Sequence, residues 1–93
     1  MTILILERVQ ASLRGELTRW MIQPKTGVFV GWLSARVRKL LWFKTIGSIK
    51  NGAALLIYTD NNEQGFTIQR YGDTSKVITD FEGLLLPKTP ISG

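Results

Sequence analysis

The sequence contains neither cysteine nor histidine. Their absence excludes disulfide bonds, thiol nucleophiles, imidazole bases and the usual zinc sites, all of which depend on these two residue types. Any catalysis or metal binding by this chain must therefore use carboxylates, hydroxyls or lysines.

A long apolar segment is also missing. No uncharged apolar run approaches the roughly 18–20 residues of a membrane span, and the N-terminal MTILIL is too short for a signal-peptide core and lacks a cleavage site. We therefore expect a cytoplasmic protein without a membrane partner. With 93 residues, the chain forms one small domain that buries only about 60–65 % of its unfolded surface, which favours pairing with a second chain.

Acidic residues are scarce in the first half of the chain. Residues 1–50 hold nine Lys and Arg against two Glu, a net charge of +7, whereas residues 51–93 hold three basic residues against five acidic ones, a net charge of −2. This asymmetry indicates a surface that faces a polyanion, most commonly nucleic acid. A basic surface that only maintains solubility is the alternative on charge alone.

The hydrophobic pattern predicts an α+β domain. TILIL, VFVGWL, AALLIYT, FTIQRY and GLLL at 83–86 read as strands, and helices are predicted from Ser12 to before Pro24 and from Ser34 to about Gly47. TILIL is apolar on both faces, as in the centre of a covered sheet. The order β-α-β-α-β-β-β predicts a sandwich with both helices on one face of the sheet. The proline-containing tail, residues 87–93, is predicted to be a disordered end or the start of a linker.

Both predicted helices begin with basic residues, although a helix N-terminus normally favours acids. Arg14 follows Ser12 in the first helix, and Arg36, Arg38 and Lys39 follow Ser34 in the second. If the first two strands are parallel, the two helix N-termini lie side by side and form an anion site suited to phosphate. The alternative is that these arginines only cover the edges of the core.

The helices carry two further expectations. In the second helix, Val37, Leu40 and Leu41 are expected to face inward. In the first, Gly15 interrupts a helical pattern at a cost of about 1 kcal/mol relative to alanine. This glycine predicts the close approach of a bulky ligand or a neighbouring backbone.

Carboxylates and aromatic residues offer weaker signals. Glu7 closes the first strand and is expected to pair with Arg8 or Arg14, or else to meet a second copy of itself around Mg²⁺ in a twofold dimer. Trp20 is predicted to be in the core and Trp32 at a subunit contact. Packing is favoured over base stacking for Trp42 and Phe43.

The segments ERVQASLRGELTRWMI, KTGVFVGWLSARVRKLLW, EQGF and DFEGLLL resemble CRISPR-associated protein two of the type I-E subtype, from about Glu7 to Leu86. The resemblance implies a ferredoxin-like fold over residues 1–86 and a homodimer that bridges dimers of the integrase, CRISPR-associated protein one. It also implies that the dimer grips the phosphates of captured double-stranded DNA. The basic positions of the family pattern fall on Arg14, Lys25, Arg36, Arg38 and Lys76, whereas Ser12 and Ser75 stand where relatives can carry arginine.

The leading functional hypothesis is a non-catalytic, dimeric DNA-binding scaffold of CRISPR adaptation, for which no cofactor is required. The alternative is a Mg²⁺-dependent endonuclease in which Glu7 is the metal ligand, since an acidic residue ends the first strand in the wider family. A third hypothesis, an RNA-binding module, is disfavoured because the strands lack a pair of stacking aromatics. Some type I-E relatives continue into an exonuclease domain after this region.

Overall fold

The computed structural model describes residues 1–8, 10–49 and 52–72. Two helices and five strands follow each other in the order β-α-β-β-α-β-β. The strands are β1 (Thr2–Glu7), β2 (Ile22–Lys25), β3 (Val28–Gly31), β4 (Ala53–Thr59) and β5 (Phe66–Tyr71), and the helices are α1 (Ala11–Leu17) and α2 (Ala35–Ser48). The predicted strand at 83–86 and the tail at 87–93 lie outside the described residues.

The strands form one antiparallel sheet in the order β2-β3-β1-β4-β5. Both helices cover the same face, where Leu13 and Leu17 of α1 and Leu41 of α2 pack with Leu4, Leu6, Phe29, Ala54 and Leu56 of the sheet. This arrangement confirms the predicted ferredoxin-like α+β sandwich. Among the described residues, no helix has the length and apolar character needed to cross a bilayer.

The opposite face of the sheet is also apolar. Ile5, Ala53, Leu55 and Ile57 form a second buried cluster, against which Ile3, Val28 and Ile68 pack. The strands β1 and β4 therefore place apolar side chains on both faces, which explains why they read as continuous apolar runs rather than alternating ones.

The first helix is shorter than predicted. It ends at Leu17, and the hydroxyl of Thr18 donates to the carbonyl oxygens of Arg14 (3.0 Å) and Gly15 (3.2 Å). The following segment, Ile22–Lys25, is a strand that the hydrophobic pattern did not predict. Its Pro24 is compatible with this assignment because β2 is an edge strand, where a missing N–H breaks no ladder.

The β2–β3 hairpin is fixed to β1 at Gly27. This glycine has φ +82°, its carbonyl accepts from the Leu6 N–H at 2.8 Å, and its N–H donates to Oε1 of Gln23 at 3.0 Å. A Cβ added here would lie 2.6 Å from the Leu6 carbonyl oxygen. Both the positive φ and the close approach therefore require glycine.

Candidate nucleic-acid interface

The first turn of α2 carries cations and no acid. Ser34 is the N-cap, as predicted, and its Oγ accepts from the Val37 N–H at 3.2 Å. Arg36 and Lys39 are exposed, whereas Arg38 is half-buried. Because the amide groups of a helix N-terminus already carry partial positive charge, an exposed Arg36 adds to a region that attracts anions.

Arg38 is held against the sheet rather than projecting freely. Its guanidinium carbon lies 3.7 Å from the ring centroid of Tyr58 in β4, which is cation–π geometry. Hydrogen bonds from the Thr67 hydroxyl (2.6 Å) and the Asn61 N–H (2.8 Å) lower the pKa of Asp60, and the charge of Arg38 lowers it further. Arg38 is therefore committed to contacts within the chain, and Arg36 is the more accessible of the two arginines.

Arg14 was predicted to lie in the first turn of a long helix. Because α1 spans only Ala11–Leu17, Arg14 is its middle residue and also belongs to its last turn, where a cation complements the helix dipole. The helix begins at Ala11, one residue before the predicted Ser12, and its N-cap is Gln10, without a side-chain capping bond. The Arg14 side chain is half-buried, and its Nε is buried without an acceptor among the described residues.

The predicted juxtaposition of two helix N-termini is wrong. It required parallel strands, but β1 and β3 are antiparallel, with Thr2 opposite Gly31 and Ile5 opposite Val28. Helix α1 follows the end of β1, and α2 follows the end of β3, so the helices begin at opposite ends of the antiparallel strands. The length of a six-residue strand separates these two ends of the sheet by about 17 Å.

The predicted contacts therefore divide into two groups. Lys25 is exposed where β2 ends, and this side of the sheet is also where β1 ends and α1 begins. Arg36 and Arg38 lie at the opposite side of the sheet, where β3 ends. Lys76 lies outside the described residues. A single duplex that contacts both groups must run along the subunit rather than sit at one point.

Glu7 ends β1, as predicted, and its side chain is half-buried. The expected ion pair with Arg8 or Arg14 is wrong: among the described residues, salt bridges join only Arg19 and Lys44 to Glu16. The described part of the chain holds no group of three or more acidic residues that could surround a metal ion. One chain thus offers a single carboxylate here, and a Mg²⁺ site at Glu7 needs ligands from elsewhere, such as a second copy.

Several large apolar side chains are exposed, and for two of them, Trp20 and Leu40, the prediction is wrong. Trp20, predicted to be in the core, is 48 % exposed, and Leu40, predicted to face inward, is 49 % exposed. Trp32 is 79 % exposed and lies with Trp20 and Ile22 along one surface depression. Trp42 is half-buried and packs against the core, as predicted, but Phe43 is 67 % exposed and is not packed against the core within the described part of this chain.

The wrong prediction for Trp20 has a sequence-level cause. Its place in the pattern Leu13, Leu17, Trp20 and Met21 assumed one continuous helix, but the helix ends before it. Two residues of that pattern lie beyond Leu17, and of these Met21 is buried whereas Trp20 is exposed. The signal that could have corrected the prediction is Pro24 followed by Gly27, which fits an edge strand and a hairpin turn as well as a helix end.

The chain matches the family described as CRISPR-associated protein (Cas_Cas2CT1978) over residues 1–86. The chain belongs to this family. The match confirms the resemblance noted in the sequence at the level of a protein like CRISPR-associated protein two, and it assigns the chain a role in the CRISPR system of defence. The basic residues at the two ends of the sheet are therefore features of a CRISPR-associated protein.

Proposed function

We propose that the protein is a dimeric, non-catalytic DNA-binding scaffold of CRISPR adaptation, of the type I-E subtype. In this role it bridges dimers of the integrase, CRISPR-associated protein one, and grips the phosphates of captured double-stranded DNA. The observation that carries the proposal is the exposed, acid-free first turn of α2 with Arg36, in a chain that belongs to a CRISPR-associated family. Contacts to phosphates fix position without reading sequence.

The distribution of charge supports the same proposal. The half of the chain that carries a net charge of +7 includes exposed cations at both ends of the sheet, Lys25 at one and Arg36 at the other. Each contact between such a cation and a phosphate releases counterions, so binding is expected to weaken steeply with salt.

A binding and cleavage assay tests the scaffold role. Purified protein is incubated with blunt duplex DNA and with single-stranded RNA, each with and without Mg²⁺. We expect salt-sensitive binding to the duplex and intact nucleic acid in every mixture. Co-purification with an integrase from the same genome is the complementary test of the proposed partner.

The Mg²⁺-dependent endonuclease remains the second candidate function. The observation that favours it is the half-buried Glu7 carboxylate at the end of β1, which forms no ion pair among the described residues. In this second candidate function the further ligands come from a second copy of the chain, because the described residues of one chain form no complete magnesium site. Mg²⁺-dependent cleavage that is lost in both Glu7→Ala and Glu7→Gln would replace the scaffold proposal with this one.

A further inference from the structure

Within the part of the chain that the structure describes, a groove lies between α2 and the β4–β5 edge of the sheet. Its volume is about 550 Å³, within the range of small-molecule sites. The helix and the sheet line opposite walls: Arg38, Lys39, Trp42 and Phe43 on one side, and Leu56, Tyr58 and Gln69 on the other. The groove exists because β5 lies at the edge of the sheet, beyond the two helices that cover its centre.

The lining combines aromatic rings with positive charge. Phe43 exposes 67 % of its surface, Trp42 is half-buried beside it, and Arg38 and Lys39 are the charged residues of the lining. Within the described part of the chain, no carboxylate lines the groove. Aromatic faces next to cations are the arrangement on which unpaired bases stack while their phosphates are neutralised.

The sheet wall supplies polar groups. Gln69 lies opposite Leu56 in the β4–β5 ladder, and its Nε2 donates weakly to the Tyr58 hydroxyl at 3.4 Å. The Gln69 amide also has an oxygen acceptor, so this wall can meet both donors and acceptors of a base edge. An interface with another protein fits less well, because lysine is depleted from the buried centres of such interfaces.

The groove is continuous with the proposed phosphate contact. Arg36, Lys39 and Phe43 are spaced i, i+3 and i+7 and share one flank of α2, about 10 Å long. A strand whose phosphate contacts Arg36 can therefore pass Lys39 and reach Phe43 without crossing the helix.

We propose that this groove binds an unpaired nucleotide of a nucleic-acid strand, with the base stacked on Phe43 beside Trp42 and the phosphate at Lys39. The proposal rests on the proposed function in one respect, since the strand it takes is DNA. The same base-and-phosphate chemistry is offered by a free mononucleotide, and the experiment separates the two sources.

Fluorescence of Trp42 reports on the groove directly. In a Trp20→Phe/Trp32→Phe background, Trp42 is the remaining tryptophan, and a stacked base should quench its emission. The probes are a 15-nucleotide oligo-dT, free dTMP and a blunt duplex. We expect oligo-dT to quench at concentrations where free dTMP does not; equal quenching by dTMP at the same nucleotide concentration would overturn the assignment to a strand.

Two variants test the named contacts by fluorescence anisotropy of labelled oligo-dT. Phe43→Ser should weaken binding by about 5- to 150-fold, the effect of losing one stacking partner. Lys39→Gln should lower the salt slope by about 0.7, the value for one phosphate of a single strand. Both residues are exposed, so folding is expected to persist. Trp32→Ser, which removes an exposed aromatic residue outside the groove, is the matched control and should change neither quantity.

The outcomes separate this proposal from the scaffold proposal. If Phe43→Ser and Lys39→Gln leave oligo-dT binding unchanged while Arg36→Ala weakens blunt-duplex binding, the groove assignment fails and the scaffold stands. If neither duplex nor oligo-dT binds, both fail. If Phe43→Ser converts a dimer to a monomer in sedimentation without affecting oligo-dT, a second copy occupies the groove and the assignment is overturned.

Discussion

At the scale of single residues, two glycines differ in the space that surrounds them. Gly27 combines a positive φ with close contact to β1, whereas a Cβ at Gly15 would meet no atom within 4 Å among the described residues. The helical pattern around Gly15 predicted that a ligand or a neighbouring backbone approaches it. The neighbouring backbone is absent from the described part of the chain, and the ligand remains a prediction.

These environments predict opposite stability effects for the same substitution. Gly27→Ala should lower the free energy of unfolding by at least about 1–3 kcal/mol, because alanine is strained at this φ and its Cβ clashes with the Leu6 carbonyl. Gly15→Ala should raise it by about 0.5–1 kcal/mol, because alanine favours the helix. Urea denaturation followed by circular dichroism measures both, and equal effects of one sign would contradict this description of α1 and the β2–β3 hairpin.

At the scale of elements, a salt bridge joins the two helices. Lys44 Nζ of α2 lies 2.7 Å from Oε1 of Glu16 in α1, and Arg19 lies 3.7 Å from the other carboxylate oxygen. The hydrogen bond from Lys44 and its charge lower the pKa of Glu16 below the ordinary value of 4.5. A carboxyl with a lowered pKa stabilises the fold above its unfolded pKa, and this stabilisation is lost as the pH falls through the folded value.

This linkage predicts a pH-dependent effect of Lys44→Met. The variant should be less stable than the parent at pH 7, and the difference should shrink as the pH falls from about 4.5 through the lowered pKa of Glu16. Urea denaturation at several pH values between 7 and 3 measures the difference. Lys39→Met is the control because Lys39 has no carboxylate partner among the described residues; a difference for Lys44→Met that does not vary with pH would contradict the proposed linkage.

The elements also show how far the sequence could predict the fold. The apolar run Ala53–Thr59 was sufficient to predict β4, and the Ser34 cap was sufficient to predict the start of α2. The short strand Ile22–Lys25 was missed because its assignment depends on pairing with Val28–Gly31, a tertiary contact that no local pattern encodes. Strand direction was likewise not readable from the pattern, and the wrong juxtaposition of helix N-termini followed from it.

The candidate site was predictable to a different degree. Basic residue types and a helix cap, both readable from the sequence, sufficed to select Arg36 as a candidate phosphate contact. The partnership of Arg38 with Tyr58 could not be anticipated, because the two residues belong to elements that meet only in the fold. The groove beside Phe43 was missed for the same reason: it depends on β5 extending the sheet beyond the helices.

At the scale of the whole molecule, the chain presents cations at two opposite ends of the sheet and a largely exposed tryptophan, Trp32. A domain of 10.5 kDa has a small core, which favours association. We expect sedimentation equilibrium to give twice the chain mass. A monomer at micromolar concentration, with and without duplex DNA, would contradict the proposed dimer.

The central claim is that the first turn of α2, with Arg36, binds the phosphates of duplex DNA. The salt dependence of binding tests this claim most directly. The slope of log K against log salt is measured for the parent, for Arg36→Ala and for Arg70→Ala. Arg70 is an exposed arginine that lies opposite Leu55, on the sheet face away from the helices. Arg70→Ala therefore removes the same charge as Arg36→Ala, but at a position outside the predicted DNA contact. We predict that Arg36→Ala lowers the slope by about 0.9, one phosphate contact, and that Arg70→Ala leaves it unchanged. An unchanged slope for Arg36→Ala, or an equal decrease in both variants, would contradict the account.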